Sequence, residues 1–135
     1  MELIGKYTNK YHDEIYVLFR VFVGLLFAQH GAQKLLGWFT ESAPAQLFSL
    51  FGLAGTIELV GGLAIVLGIV TRIAALLSMG VMVGAYFTVH VANGLIPIVN
   101  RGELAAVYFF CFLVIFAHGA KKLSLEKLIF RRELF

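Results

Sequence analysis

The chain has 135 residues, 60% of them hydrophobic and 14% charged, with one cysteine and a formal net charge of +3. A mean hydropathy of +0.88 excludes a water-soluble domain of ordinary composition and indicates an integral membrane protein. At roughly 20 residues per crossing of a hydrocarbon core about 30 Å thick, the length admits about four transmembrane helices.

The first span is expected over residues 15–36, IYVLFRVFVGLLFAQHGAQKLL, and is the most polar of the four. Gln29, His30, Gln33 and Lys34 fill its distal end and no small-residue cleavage site follows, so a cleaved signal peptide is not expected. The next segment, GWFTESAPAQLFSLF, is too short to cross. Its Trp38, Phe39, Leu47, Phe48, Leu50 and Phe51 suit the membrane interface, with a short helix starting at Ser42 and Pro44 in its first turn. The second span, residues 52–70, and the third, residues 73–91, are separated only by Thr71 and Arg72 and must form a tight helical hairpin. A loop, ANGLIPIVNRGE, carries polar atoms from Asn93, Asn100 and Arg101 and is expected to fold back as a lid. The fourth span covers residues 102–118, and a basic amphipathic tail, residues 121–135, ends the chain. The expected fold is all-α: residues 1–135 as a single transmembrane four-helix bundle with a short interfacial segment between helices 1 and 2.

Four spans put both termini on one side of the membrane. Nine of the eleven Lys and Arg fall on that side, against Lys34 and Arg101 on the other, which predicts cytoplasmic termini and places the basic tail on the anionic inner leaflet. The expected location is a prokaryotic cell membrane, crossed several times.

Six ionisable residues lie within or at the ends of these apolar spans: Arg20, His30, Lys34, Glu58, His90 and Glu103. Each costs roughly +2.5 to +3.5 kcal/mol in a bilayer, so such residues mark functional sites by default. With helices alternating in direction, His30, Lys34, Glu58, His90 and Glu103 fall into one outer layer, joined by Arg101 from the loop. Arg20 alone lies deep on the cytoplasmic side, where its side chain is expected to snorkel to lipid phosphate. Arg20, Gly24, Phe27, Gly31 and Lys34 step along one stripe of the first helix, and Tyr86 and His90 share a face of the third. Gly55, Gly61 and Gly62 around Glu58, and Gly80 and Gly84 on the third helix, are expected to admit close helix packing that brings Glu58 to Lys34 or His30. Tyr11, Tyr16, Trp38 and Tyr108 fit interface belts or packing. Cys111 has no partner for dithiol exchange. Neither metal nor haem is expected, since the sequence holds no HExxH, Glu-x-x-His or Cys/His cluster. The bland alternative is that Lys34 and Glu58 form a buried ion pair that only fixes helix register.

Taken in order, Arg20-x3-Gly24, His30-Gly31-x2-Lys34, Gly55-x2-Glu58-x2-Gly61-Gly62, Gly68-x2-Thr71-Arg72, a late His90 and Gly102-Glu103 resemble the DoxX family over about residues 14–124. The stretch around Ile96 and Pro97 departs from that pattern. The resemblance implies a four-helix membrane bundle of redox metabolism, similar to the small subunit of thiosulfate:quinone oxidoreductase, with a quinone as the suspected cofactor. Lys34 would then stabilise negative charge on a quinone oxygen, His30 or His90 would transfer a proton, and Glu58 would orient the cation and relay protons outward. Tyr86, Arg101 and Glu103 complete the expected binding residues. Electrons would come from a bound flavin or a partner protein. The partners implied are membrane lipids, a redox protein or second subunit, and another copy of the chain; no nucleic acid is expected. A non-catalytic assembly subunit stays open as an alternative, and a transporter is disfavoured by four helices without a repeat.

Overall fold

The computed structural model describes residues 2–132, which are all-helical with no strand among them. The last three residues of the expected tail, Glu133, Leu134 and Phe135, lie outside the described residues. In chain order the elements are α1 (Glu2–Lys10), α2 (His12–Leu36), α3 (Leu50–Leu67), α4 (Thr71–Asn93), α5 (Pro97–Asn100), α6 (Glu103–His118) and α7 (Leu125–Phe130). Helices α2, α3 and α4 are long and apolar enough to cross a membrane. Helix α6 is equally apolar but shorter, 16 residues, or about 24 Å at 1.5 Å per residue.

The sequence spans match α2, α3, α4 and α6 to within a few residues. Helix α1 was not anticipated, and the bonds Tyr11 N–H to Tyr7 O and Ile15 N–H to Tyr11 O run it almost unbroken into α2. Gly37 ends α2 in the left-handed conformation. The expected interfacial helix at Ser42 does not form. Pro44 has no amide proton to give, and the Ala45 N–H instead reaches back 2.7 Å to the Lys34 carbonyl, capping the end of α2. Ser49 is the cap that starts the next helix, its Oγ accepting from Gly52 N–H at 3.0 Å. The hairpin between α3 and α4 is as tight as expected, but it turns on Gly68–Val70, with Gly68 at φ +69°.

The bundle packs α2 on α3, α3 on α4 and α4 on α6. Phe27, Ile65, Ala75, Phe112 and Ile115 are fully buried at its centre. In lipid such a core is held by van der Waals packing more than by the hydrophobic effect, and the α2–α3 contact achieves this through glycine. A Cβ on Gly24 would lie 2.8 Å from Gly62 O, and one on Gly62 would lie 2.7 Å from Gly24 O. Gly31 and Gly55 make a second crossing, where a Cβ on Gly31 would strike Leu59 N and come 2.6 Å from Gly55 O. Gly80 and Gly84 do not pack closely, contrary to their spacing: nothing lies within 4 Å of a Cβ on either.

The end of the bundle that carries both termini is a polar lock. Arg20 does not snorkel; it is completely buried and donates to Ala120 O at 2.8 Å, Leu123 O at 2.9 Å and Val66 O at 3.4 Å. The reason is that the chain reverses after α6 at Gly119 (φ +70°) and runs back under the bundle, bringing unpaired carbonyls to the guanidinium. Ser124 Oγ donates to Gly68 O at 2.8 Å, Tyr16 Oη donates to Gly119 O at 2.6 Å, and Ser124 and Glu126 are buried. Thus the tail is partly a strap rather than wholly a surface helix, although Leu123, Leu128, Ile129 and Phe130 remain exposed.

Candidate functional site

The opposite end of the bundle gathers the other ionisable residues. His30 and Lys34 lie on the last turns of α2, Glu58 on α3, His90 on α4 and Arg101 in the turn between α5 and α6. With Phe27, Met82, Leu104 and Tyr108 they line a cavity of about 190 Å³. Two of these residues stand on distortions of their helices. Glu58 lies in a π-helical turn of α3, Ile57–Gly61, and His90 ends a π-helical turn of α4, Tyr86–His90. Such turns are rare, occur mostly as single-turn bulges within α-helices, and are frequent at functional sites.

Lys34 Nζ donates to Glu58 Oε1 at 2.6 Å, with the lysine side chain 20% and the glutamate 2% exposed. The other carboxylate oxygen, Glu58 Oε2, is buried with no hydrogen-bond partner among the described residues. Lys34 Nζ also lies 4.9 Å from the centre of the Phe51 ring, a cation–π contact across the α2–α3 crossing. His30 meets the edge of Tyr108 at 5.9 Å between ring centres. His90 Nδ1 is 3.1 Å from Asn100 O. A carbonyl only accepts, so the proton of the neutral ring is on Nδ1, and Nε2 is its accepting nitrogen.

Asn100 holds the far wall. It is buried, donates from Nδ2 to Gly94 O at 2.7 Å and to Tyr86 Oη at 3.2 Å, and accepts at Oδ1 from Gly102 N–H at 2.7 Å. These bonds fold the loop after α4 back over the end of that helix. They also hold Arg101 at φ +61°, a left-handed conformation that costs a non-glycine residue about 1 kcal/mol or more. Gly102 must be small here, because a Cβ would come 2.7 Å from both Asn100 Oδ1 and Tyr86 Cε2.

Of the residues singled out from sequence, the structure brings His30, Lys34, Glu58, His90 and Arg101 to one cavity, and it leaves two aside. Tyr86 donates its hydroxyl to Leu95 O at 2.7 Å and braces the loop without lining the cavity. Glu103 is exposed at the first turn of α6. There its charge complements the positive helix end, and its side chain does not reach the cavity. Two residues were missed. Tyr108 belongs to the buried stripe Ala105, Tyr108, Phe112 and Ile115, whose 3-4-3 spacing is readable in the sequence. Asn100 was noted only as a polar residue of the expected lid and had no periodic signal, since the helix it ends, Pro97–Asn100, is a single short turn.

Comparison with known proteins identifies the family. The DoxX family model matches residues 15–91, which include His30, Lys34, Glu58 and His90. An uncharacterized protein of Haemophilus influenzae is 35% identical over 130 residues, covering 92% of this chain and 97% of the relative. A Bacillus subtilis protein named "Putative oxidoreductase CatD" is 27% identical over 130 residues, covering 91% of this chain and 92% of that protein. No solved structure matches significantly. With a family model covering more than half its length and a relative alike over almost all of it, the chain belongs to the DoxX family.

Proposed function

We propose that the cavity between α2, α3, α4 and α6 receives the ring of a membrane quinone, and that the protein is a quinone-binding membrane component of a redox system. The observation that carries this reading is Glu58 Oε2, a buried carboxylate oxygen without a partner on the wall of a cavity lined by cations and imidazoles. Buried acceptors of this kind are normally satisfied, and a hydroxyl or protonated ring oxygen of a ligand would satisfy this one. Size agrees: a cavity of about 150 Å³ holds benzene, and this one has about 190 Å³. Lys34, Arg101 and Tyr108 supply donors suited to ring oxygens. The name of the Bacillus subtilis relative supports a redox role.

A bound quinone would supply the capacity to accept two electrons and two protons. Lys34 Nζ, anchored by Glu58 Oε1, keeps N–H groups that would stabilise negative charge on a ring oxygen. Glu58 Oε2 and His90 Nε2 are the atoms that hold and return protons. No side chain here carries electrons, so a flavin or partner protein supplies them. We place both termini, with the polar lock, on the cytoplasmic side of a prokaryotic membrane, on the distribution of Lys and Arg, and take α6 as the fourth crossing helix.

The test is binding of a benzoquinone analogue to the purified protein in nanodiscs, compared with the Lys34→Ala, Glu58→Gln double variant. A tenfold or greater loss in a variant that keeps its helical circular dichroism supports the site. The second reading, a structural ion pair in an assembly subunit, is favoured by the position of Lys34 and Glu58 beside the Gly31–Gly55 crossing. A folded double variant that binds as well as the parent would establish it and remove the quinone. Labelling of Ser42→Cys from the cytoplasmic side, or of Lys122→Cys from outside, in a Cys111→Ser background would overturn the orientation.

A further inference from the structure

A second cavity, about 400 Å³, runs between α3 and α4 on the outer half of the bundle. Its walls are apolar, and Lys34 is the one charged residue among those that line it. It extends along α4 from Leu76 to Val89, about 20 Å at 1.5 Å per residue. Its floor exists because positions 80 and 84 are glycine: a Cβ on either would stand in open space, so these residues serve room rather than helix contact. Lys34 and Ala85 line both this groove and the polar cavity. Lys34 Nζ stands at the junction, bonded to Glu58 on one side and 4.9 Å from Phe51, a groove residue, on the other.

A polar chamber sized for one ring that shares Lys34 and Ala85 as walls with a long apolar trough matches a molecule built from a polar ring and a hydrocarbon chain. We propose that the groove seats the hydrocarbon chain of the ligand whose ring occupies the polar cavity, so that the protein selects quinones carrying a chain over the bare ring. This rests on the reading of the polar cavity as a quinone site. The chain leaves the ring beside Lys34, passes Ala85 and Gly84, and lies along Gly80 towards Leu76. An ordinary bilayer lipid chain in the same trough is the competing occupant.

The experiment measures binding of decylubiquinone and of the ubiquinone ring lacking any side chain, in nanodiscs with ligand counted per lipid, for the parent, the Gly80→Leu, Gly84→Leu variant and the Lys34→Ala, Glu58→Gln variant. The parent is expected to bind the decyl compound at least tenfold more tightly than the bare ring. Filling the groove should abolish that advantage and leave affinity for the bare ring unchanged. Equal affinity of the parent for both compounds, or an advantage that survives the filled groove, overturns the groove proposal. The quinone site itself stands in that case if the Lys34→Ala, Glu58→Gln variant still loses the ring. Absence of binding by either compound overturns both. Should the leucine variant not fold, a decyl chain ending in a photoreactive diazirine decides with the parent alone: crosslinks to residues 76–89 support the groove, and crosslinks elsewhere, or none above those of a diazirine-labelled phospholipid, refute it.

Discussion

Gly31→Ala adds one methyl group at the tightest crossing of the bundle, beside His30 and Lys34. The new Cβ would strike Leu59 N and approach Gly55 O at 2.6 Å, and both are backbone atoms that cannot turn aside. The Gly55 O contact alone requires α2 and α3 to separate by about 0.8 Å to reach an ordinary 3.4 Å, and the closer Leu59 N requires more. Overpacking of this kind costs about 1–3 kcal/mol. The same separation carries the Lys34–Glu58 contact from 2.6 Å to at least about 3.4 Å, beyond good hydrogen-bond reach. Alanine returns about 1 kcal/mol through its helix propensity, so a net loss of about 0–2 kcal/mol is expected. Gly80→Ala is the matched control: it gains the same propensity and meets nothing within 4 Å, so it should be neutral or stabilising by up to about 1 kcal/mol. Unfolding free energies from SDS titration in mixed micelles, followed by far-UV circular dichroism, should separate the two variants by about 1–3 kcal/mol, since the propensity gain is common to both. Equal stability would refute the claim that backbone contact at Gly31 holds these helices together.

Further expectations concern the two ends of the bundle. Lys34→Ala leaves a buried carboxylate without its partner and should cost about 3–5 kcal/mol, while adding Glu58→Gln should recover at least about 1 kcal/mol of it; a double variant less stable than the single one would contradict the ion-pair assignment. Asn100→Ala removes the side-chain bonds to Tyr86, Gly94 and Gly102 at a cost of about 1–3 kcal/mol. Hydrogen exchange should then quicken across residues 91–102 and not in the middle of α2. Arg20→Leu deprives the Ala120 and Leu123 carbonyls of their donor, worth about 2–4 kcal/mol. The strap should loosen, and trypsin should cut after Lys121, Lys122 or Lys127 several-fold faster than in the parent; an unchanged rate would mean that other contacts hold the strap.

The long helices were legible because apolar runs of bilayer length admit one reading, and the grouping of Lys34, Glu58, His30, His90 and Arg101 followed from alternating helix direction alone. What the sequence hid depended on chain reversals and local caps. Arg20 looked like an interfacial cation until the strap beyond Gly119 supplied its carbonyls. Ser42 and Ser49 both have the chemistry of a helix cap, and only the bond from Ala45 to the end of α2 decides between them. The spacing of Gly80 and Gly84 is the same whether a helix or an open groove faces it. Glu103 was a residue of the correct type in the correct layer, turned outward as the first residue of its helix.

The π-helical turns at Glu58 and His90 have a genetic consequence. Each accommodates one residue more than a regular helix would, and at 3.6 residues per turn one residue is a rotation of about 100°. Deleting a single codon within Ile57–Gly61 would allow α3 to relax to a regular helix and would swing Glu58 off the cavity wall, with the apolar composition of the span almost untouched. The polar site can therefore be gained or lost by a one-residue length change that leaves the membrane scaffold in place, so sequence gaps at these two points are more diagnostic of lost chemistry than substitutions around them.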